Sequence, residues 1–174
     1  TPTTSSAASD VYKRQYYRFS DIMRNSASAY QATARLNNEM FEMVGVSYST
    51  KRPKADQAPY ESMDAGLASC TGLSILLIDA CRSIGVPARF VGTPMWYNNS
   101  GNHSWVEVWD KGWHVTGAAE PTGDELNNFW FSGLASRAVE GHLKYGIYAT
   151  KRAGMPILLQ ASIRRMLSPV QDAN

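Results

Sequence analysis

The sequence predicts a single α+β domain, with helices in its first half and a small antiparallel sheet after them. Three observations carry that reading. Apolar residues recur at helical spacing up to Ile84, and they alternate as in half-buried strands after Pro87. Lys111–Gly112, between two such strands, is a tight-turn signal. The 174 residues suffice for one hydrophobic core and are too few for two comfortable ones. A composition of 44% hydrophobic and 18% charged residues is that of a globular chain, which makes disorder, collagen-like repeats and coiled coil poor readings.

Residues 1–17 read as a disordered or artefactual lead-in. The first ten are rich in Thr, Ser and Ala, and Val11–Gln15 resembles translated sequencing-adaptor read-through. A helix is predicted from Phe19 to Val44, carried by Ile22, Met23, Tyr30, Leu36, Met40, Phe41 and Val44, with a break near Asn25–Ser28 and a stop at Gly45. Residues 46–59 form a polar loop punctuated by Pro53 and Pro59.

Ser69 is placed to cap a second helix, whose stripe is Leu73, Leu76, Leu77, Ala80, Cys81 and Ile84; Gly85 and Pro87 end it. Strands are predicted at Ala88–Thr93, His103–Trp109 and Trp113–Ala119, and a further one at Tyr145–Thr150. Residues 124–141 read as partly helical and Pro156–Leu167 as a last helix. The domain is thus expected over residues 18–150, with a C-terminal helix or tail of open packing over 151–174. The longest apolar run, around Leu73–Ala80, is interrupted by Ser74 and Asp79 and is far short of a membrane span. A net charge of +2 argues against a general nucleic-acid or anionic-membrane surface. The compartment stays open; a leader lost upstream would place the protein in the cell envelope or outside the cell.

The two cysteines, Cys70 and Cys81, fall on one predicted helix, separated by a rise of about 16 Å. A disulfide needs Cα atoms within about 7 Å, so they cannot bridge within the chain. Two thiols and three histidines without CxxC or HxxxH spacing do not read as a zinc site. Cys81 lies inside the apolar stripe and reads as a buried structural thiol. Cys70 sits at the helix mouth, where the dipole and free N–H groups favour thiolate, and Gly72 would leave the sulfur uncrowded. Position alone leaves it open between nucleophile and structural thiol.

A thiolate nucleophile needs a histidine, itself oriented by a third polar group. His142 is in a polar stretch, His114 in the returning strand, and His103 begins the first hairpin strand. If the hairpin loop has two or four residues, His103 lies opposite Glu120 on one sheet face. A three-residue loop would put Ala119 there and turn Glu120 to the other face.

The stretch SCTGLSILLIDACRSIGVPARFVGTP, followed by NHSWVEVWDKGWHVTGAAEP, closely resembles the transglutaminase-like superfamily of papain-type fold. The matching segments cover roughly residues 60–121, and similarity to bacterial transglutaminase-like domains extends from about 35 to 150. In the resemblance Cys70 matches the nucleophile, Gly85–Arg89 the post-helix element and His103 the base. The superfamily's usual acid position, four residues after the hairpin Trp, is here Gly117, which cannot orient an imidazole. Glu120, in A-A-E-P, resembles the branch whose strand ends in glutamate, as in peptide N-glycanases.

The remaining candidates are substrate and oxyanion contacts. Trp105 beside His103 would shield the imidazole from water, with Glu107 and Trp109 on the same face and Val106 and Val108 on the other. Trp96, Tyr97, Asn98 and Asn99 form a loop that is either a substrate wall gripping peptide or sugar, or loop packing. Arg89 reads as an anchor of the helix–strand corner or as a substrate-carboxylate partner. By resemblance to papain-like enzymes an upstream side chain helps hold the oxyanion, and Gln57 is the candidate, with Tyr60 behind it. The expected function is thiol-dependent acyl transfer on a peptide or protein amide, glycan-linked or not, by a peptidase, amidase or transglutaminase. Hydrolysis is the default acceptor reaction, since no calcium-loop pattern accompanies the core; no cofactor or metal is expected. The alternative is a catalytically inactive module that binds peptide or glycan.

Overall fold

Pattern and punctuation place most of the elements seen in the computed structural model, which describes residues 17–150 and 156–158. Helix α1 runs through residues 17–24, and the chain breaks at 25–28 before α2, Ala29–Val44. Ser28 caps α2 by accepting from the Gln31 N–H, and Gly45 ends it at φ +68°. Where a plain polar loop was expected, Ser47–Tyr48 (β1) pairs in parallel with Leu67–Ala68 (β2), and Pro59–Ala65 forms α3. Pro59 sits in the first turn of α3, where its missing N–H costs nothing. Helix α4, Cys70–Ser83, packs its Leu73, Leu76, Leu77 and Cys81 stripe into the core. Gly85, at φ +85°, turns the chain after α4.

The main sheet contains β3 (Ala88–Thr93), β4 (His103–Trp109), β5 (Trp113–Thr116), β6 (Tyr148–Thr150) and β7 (Pro156–Leu158), in the order β5-β4-β3-β6-β7. All its pairings are antiparallel. Alternation along β4 sends Val106 and Val108 to the helices, where they join the core of α2 and α4. Trp105 points the other way, into a second apolar cluster with Trp96, Phe129, Phe131 and Ile147. One buried carboxylate, Glu107, lies opposite Arg89 in the register and accepts from its Nε at 2.7 Å; the guanidinium also stacks 3.6 Å over Trp113. Arg89 therefore anchors the sheet rather than the corner or a substrate. The helix–strand corner is held by Arg82, whose Nε and a terminal nitrogen both donate to the Ala88 carbonyl.

Several expectations are corrected. The hairpin register pairs Trp109 with Trp113 and Val106 with Thr116, so the loop has three residues. Only Lys111 adopts positive φ there, and Asp110 is drawn out of the strand because its carboxylate accepts the Tyr30 N–H at the start of α2. Strand β5 ends at Thr116 instead of Ala119, and 124–141 contains a single helical turn, Ser132–Ala135 (α5). The strand expected from Tyr145 begins at Tyr148, and Pro156–Leu158 pairs with β6 as strand instead of opening a helix. The lead-in over 1–16 and the rest of the C-terminal helix lie outside the described residues. No described helix is long and apolar enough to cross a membrane.

Candidate active site

Ser69 fixes the start of α4 from both sides. Its hydroxyl accepts the Gly72 N–H at 3.2 Å and donates to the Ala55 carbonyl at 2.5 Å. Cys70 is the first residue of the helix, so its sulfur lies among N–H groups that have no intrahelical partner. Gly72 does not clear space for the sulfur as expected. A Cβ there would meet Ala68 Cβ at 3.1 Å and Ser62 Oγ at 3.2 Å, so this glycine lets α4 lie close to α3 and β2.

At the head of β4, His103 is buried and walled by aromatic rings, with Phe131 at 4.7 Å, Trp130 at 5.1 Å and Trp105 at 6.1 Å between centroids. It lines the same cleft as Cys70, near enough that each side chain shifts the other's titration. Its Nε2 faces Glu120 Oε2 at 3.8 Å, beyond hydrogen-bond distance, so the carboxylate acts on it through charge. Ser104, on the opposite face of β4, also acts on the thiol, its backbone N–H and hydroxyl favouring the ionised sulfur. That hydroxyl is in turn 3.1 Å from Thr71 Oγ1.

The two reactive groups titrate in opposite directions. Burial pushes the Cys70 thiol up, but its hydrogen bond to His103, the imidazolium charge and the Ser104 contacts together bring it below its ordinary value. Burial lowers His103, but the Cys70 and Glu120 contacts outweigh it and raise the imidazole to about 9. Each shift favours the charged form of its group, so thiolate and imidazolium support one another.

Glu120 arrives by a route the register argument did not foresee. With the three-residue hairpin loop it would have faced away, but β5 has already ended. Glu120 N–H bonds back to the Gly117 carbonyl, and Ala119 takes φ +60°, which swings the carboxylate toward His103. Buried Asn37 on α2 clasps this turn. It donates to Thr116 Oγ1 and the Gly117 carbonyl and accepts from the Ala119 N–H.

These groups open into a cleft of about 440 Å³, bordered also by Ser69, Thr71, Asn102 and Trp130. Its outer wall carries Tyr48, Arg52 and Asp56. Other candidates fall elsewhere. Gln57 is buried with its amide N–H₂ bonded to the Glu61 and Leu67 carbonyls, so it is not free to hold an oxyanion, and exposed Tyr60 does not border the cleft. Trp96 is buried against Trp105 and Phe131. Tyr97 binds Arg137, Asn98 caps Ser100, and Asn99 accepts from Lys144 and Tyr145, so this loop is packing and not a cleft wall. His114 bonds the Asp110 carbonyl and Asn127, and exposed His142 accepts N–H groups of its own turn. Trp109, half exposed against Trp113, is also away from the cleft. Among the described residues no cluster of three His, Cys, Asp or Glu side chains is placed to hold a metal ion.

Sequence reasoning missed Asn37, Ser104 and Trp130. Strand alternation could have found Ser104, since the residue after His103 must face the helix that carries Cys70. Nothing local marks Asn37 or Trp130, whose partners lie at residues 116–120.

With this geometry in view, the comparison with known families is decisive. The sequence pattern of the transglutaminase-like superfamily matches residues 18–118. The chain belongs to the transglutaminase-like superfamily. Among solved structures, LapG of Legionella pneumophila is similar with a TM-score of 0.53 at 14% identity, over 89% of each chain. A proposed cysteine protease from Cytophaga hutchinsonii is similar with a TM-score of 0.51 at 16% identity, over 68% of this chain and 40% of that one. At such identities the likeness is one of fold, and the chain spans less than half the length of the Cytophaga protein. Among curated protein sequences no significant match was found.

Proposed function

We propose that the protein carries out thiol-dependent acyl transfer on an amide bond, using Cys70 as nucleophile, His103 as acid–base and Glu120 as its orienting carboxylate. The observation that carries this reading is that Cys70, at a helix N-terminus, shares one cleft with His103 and Glu120, with the thiol lowered and the imidazole raised to about 9. In the cleft, thiolate sulfur attacks the amide carbon and forms a C–S bond. Charge developing on the carbonyl oxygen meets the Cys70 N–H at the start of α4. His103 then gives its proton to the departing amine as the C–N bond breaks. Glu120, facing Nε2, keeps the ring oriented and stabilises its charged form. The thioester is resolved by a water that gives its proton to His103, or by a second amine in its place. Water needs no binding site of its own and is the simpler acceptor.

The substrate class this site suits is a peptide or protein amide. The wall carries one cation, Arg52, one anion, Asp56, and the ring of Tyr48, a mixed surface suited to a peptide. The reading of an inactive binding module loses its grip loop, since Trp96–Asn99 is engaged in packing. Incubation with a complex peptide pool, read by mass spectrometry, is expected to give new termini, or amine adducts when a primary amine is added. Cys70→Ala should give neither. Products formed equally by Cys70→Ala would overturn the assignment.

A further inference from the structure

Resting on that reading, in which Glu120 orients His103, we propose that Gly117 and Trp130 are positioning residues that together create the seat of the Glu120 carboxylate. Oxygen Oε2 has three neighbours that define its place. It faces His103 Nε2 at 3.8 Å and accepts the indole N–H of Trp130 at 2.9 Å. On the third side is Gly117. A Cβ there would stand 2.0 Å from Oε2, 2.8 Å from Cδ and 3.0 Å from Cβ of Glu120. Atoms cannot approach so closely, so the carboxylate occupies the volume that any other residue at 117 would fill.

The backbone does not require glycine at this point. The glycines at positive φ are elsewhere, and within this turn it is Ala119 that takes the left-handed conformation. The need is for space alone. Gly117 is held still by the Asn37 amide on its carbonyl, so the turn cannot simply move aside for a side chain.

Trp130 is 63% exposed, with its ring 5.1 Å from His103 and 5.5 Å from Phe131, and its N–H is given to the same oxygen that faces the imidazole. Glutamate has three side-chain torsions and, at a partly exposed turn, would otherwise sample many positions. A void beneath it and a donor beside it restrict the carboxylate to the place where it can act on His103.

The experiment is an NMR titration of the His103 imidazole in wild type, Trp130→Phe, Gly117→Ala, Glu120→Ala and the Gly117→Ala/Glu120→Ala double variant. Thermal melts would verify that each is folded. Wild type should titrate near 9. Trp130→Phe keeps a ring and loses only the donor; it and Gly117→Ala should each lower the imidazole by about one unit or more, toward the Glu120→Ala value. The double variant should titrate like Glu120→Ala alone, because no carboxylate remains to collide with the added methyl. A raised wild-type value, lowered by Glu120→Ala but untouched by Trp130→Phe and Gly117→Ala, would overturn the positioning role while leaving the triad standing. A wild-type imidazole titrating near 6.5 would remove the triad reading itself, and this proposal with it. If Gly117→Ala does not fold, Trp130→Phe decides.

Discussion

Cys70 and Cys81 share one helix and differ only in surroundings. Thr33 Oγ1 lies 3.9 Å from the Cys81 sulfur, and burial pushes this thiol up to about 12. Cys70 has an imidazole and the Ser104 N–H, and goes down. In native protein one thiol should react with a neutral disulfide reagent and two in denaturant; two fast thiols in native protein would contradict the burial of Cys81. The sign for stability follows from the same shift. A thiol that ionises at 9 when unfolded and about 12 when folded contributes fully below pH 9, and that contribution is lost as pH rises through this window. The loss should be on the order of 1.4 kcal/mol per unit. Urea melts between pH 9 and 12 should show the decline, and Cys81→Ala should flatten it while lowering stability at neutral pH. The burial of Cys81, and the placement of Cys70 and His103 in one cleft, could be read from position in the sequence. Glu120 was chosen for a reason that did not hold, because a turn and not a strand delivers it.

At the scale of elements, the site depends on where two of them begin. The α4 cap sets Cys70: Ser69→Ala should cost about 1 kcal/mol and release both the Gly72 N–H and the Ala55 carbonyl. The β3–β4 pairing sets His103. A methyl group at Gly92 would stand 2.9 Å from the His103 carbonyl, a backbone atom that cannot swing away. Gly92→Ala should therefore push the strands apart at the head of β4 and slow Cys70 alkylation more than it lowers the melting temperature; a reaction rate equal to wild type would show that His103 tolerates the shift. Strand and helix boundaries from residue 69 to 109 were legible because Ser69, Gly85 and Pro87 punctuate a strong apolar pattern. The hairpin register was not. It was decided by Asp110 reaching Tyr30, a contact 80 residues away that no local turn rule contains.

Across the whole molecule, the sheet is covered on one face by α2 and α4 and on the other by the irregular segment that carries Phe129, Phe131 and Ile147. This second cover was the least legible part: the helix read into 124–141 is a single turn, and tertiary packing gives the rest its order. It nevertheless closes the site. Phe131 is fully buried and touches His103, Trp105 and Trp96 at once. Phe131→Ala should cost about 3–5 kcal/mol in a urea melt, and should open the imidazole to water. A cost below about 1 kcal/mol would mean that the segment is not part of the cooperative fold. The fold thus brings a helix mouth, a strand head and a turn into one cleft. The most direct test of that convergence is the rate of Cys70 alkylation by iodoacetamide as a function of pH, in wild type and His103→Ala. The account predicts an apparent thiol pKa below the ordinary value in wild type that returns toward about 8.5 in the variant; identical profiles in the two proteins would contradict it.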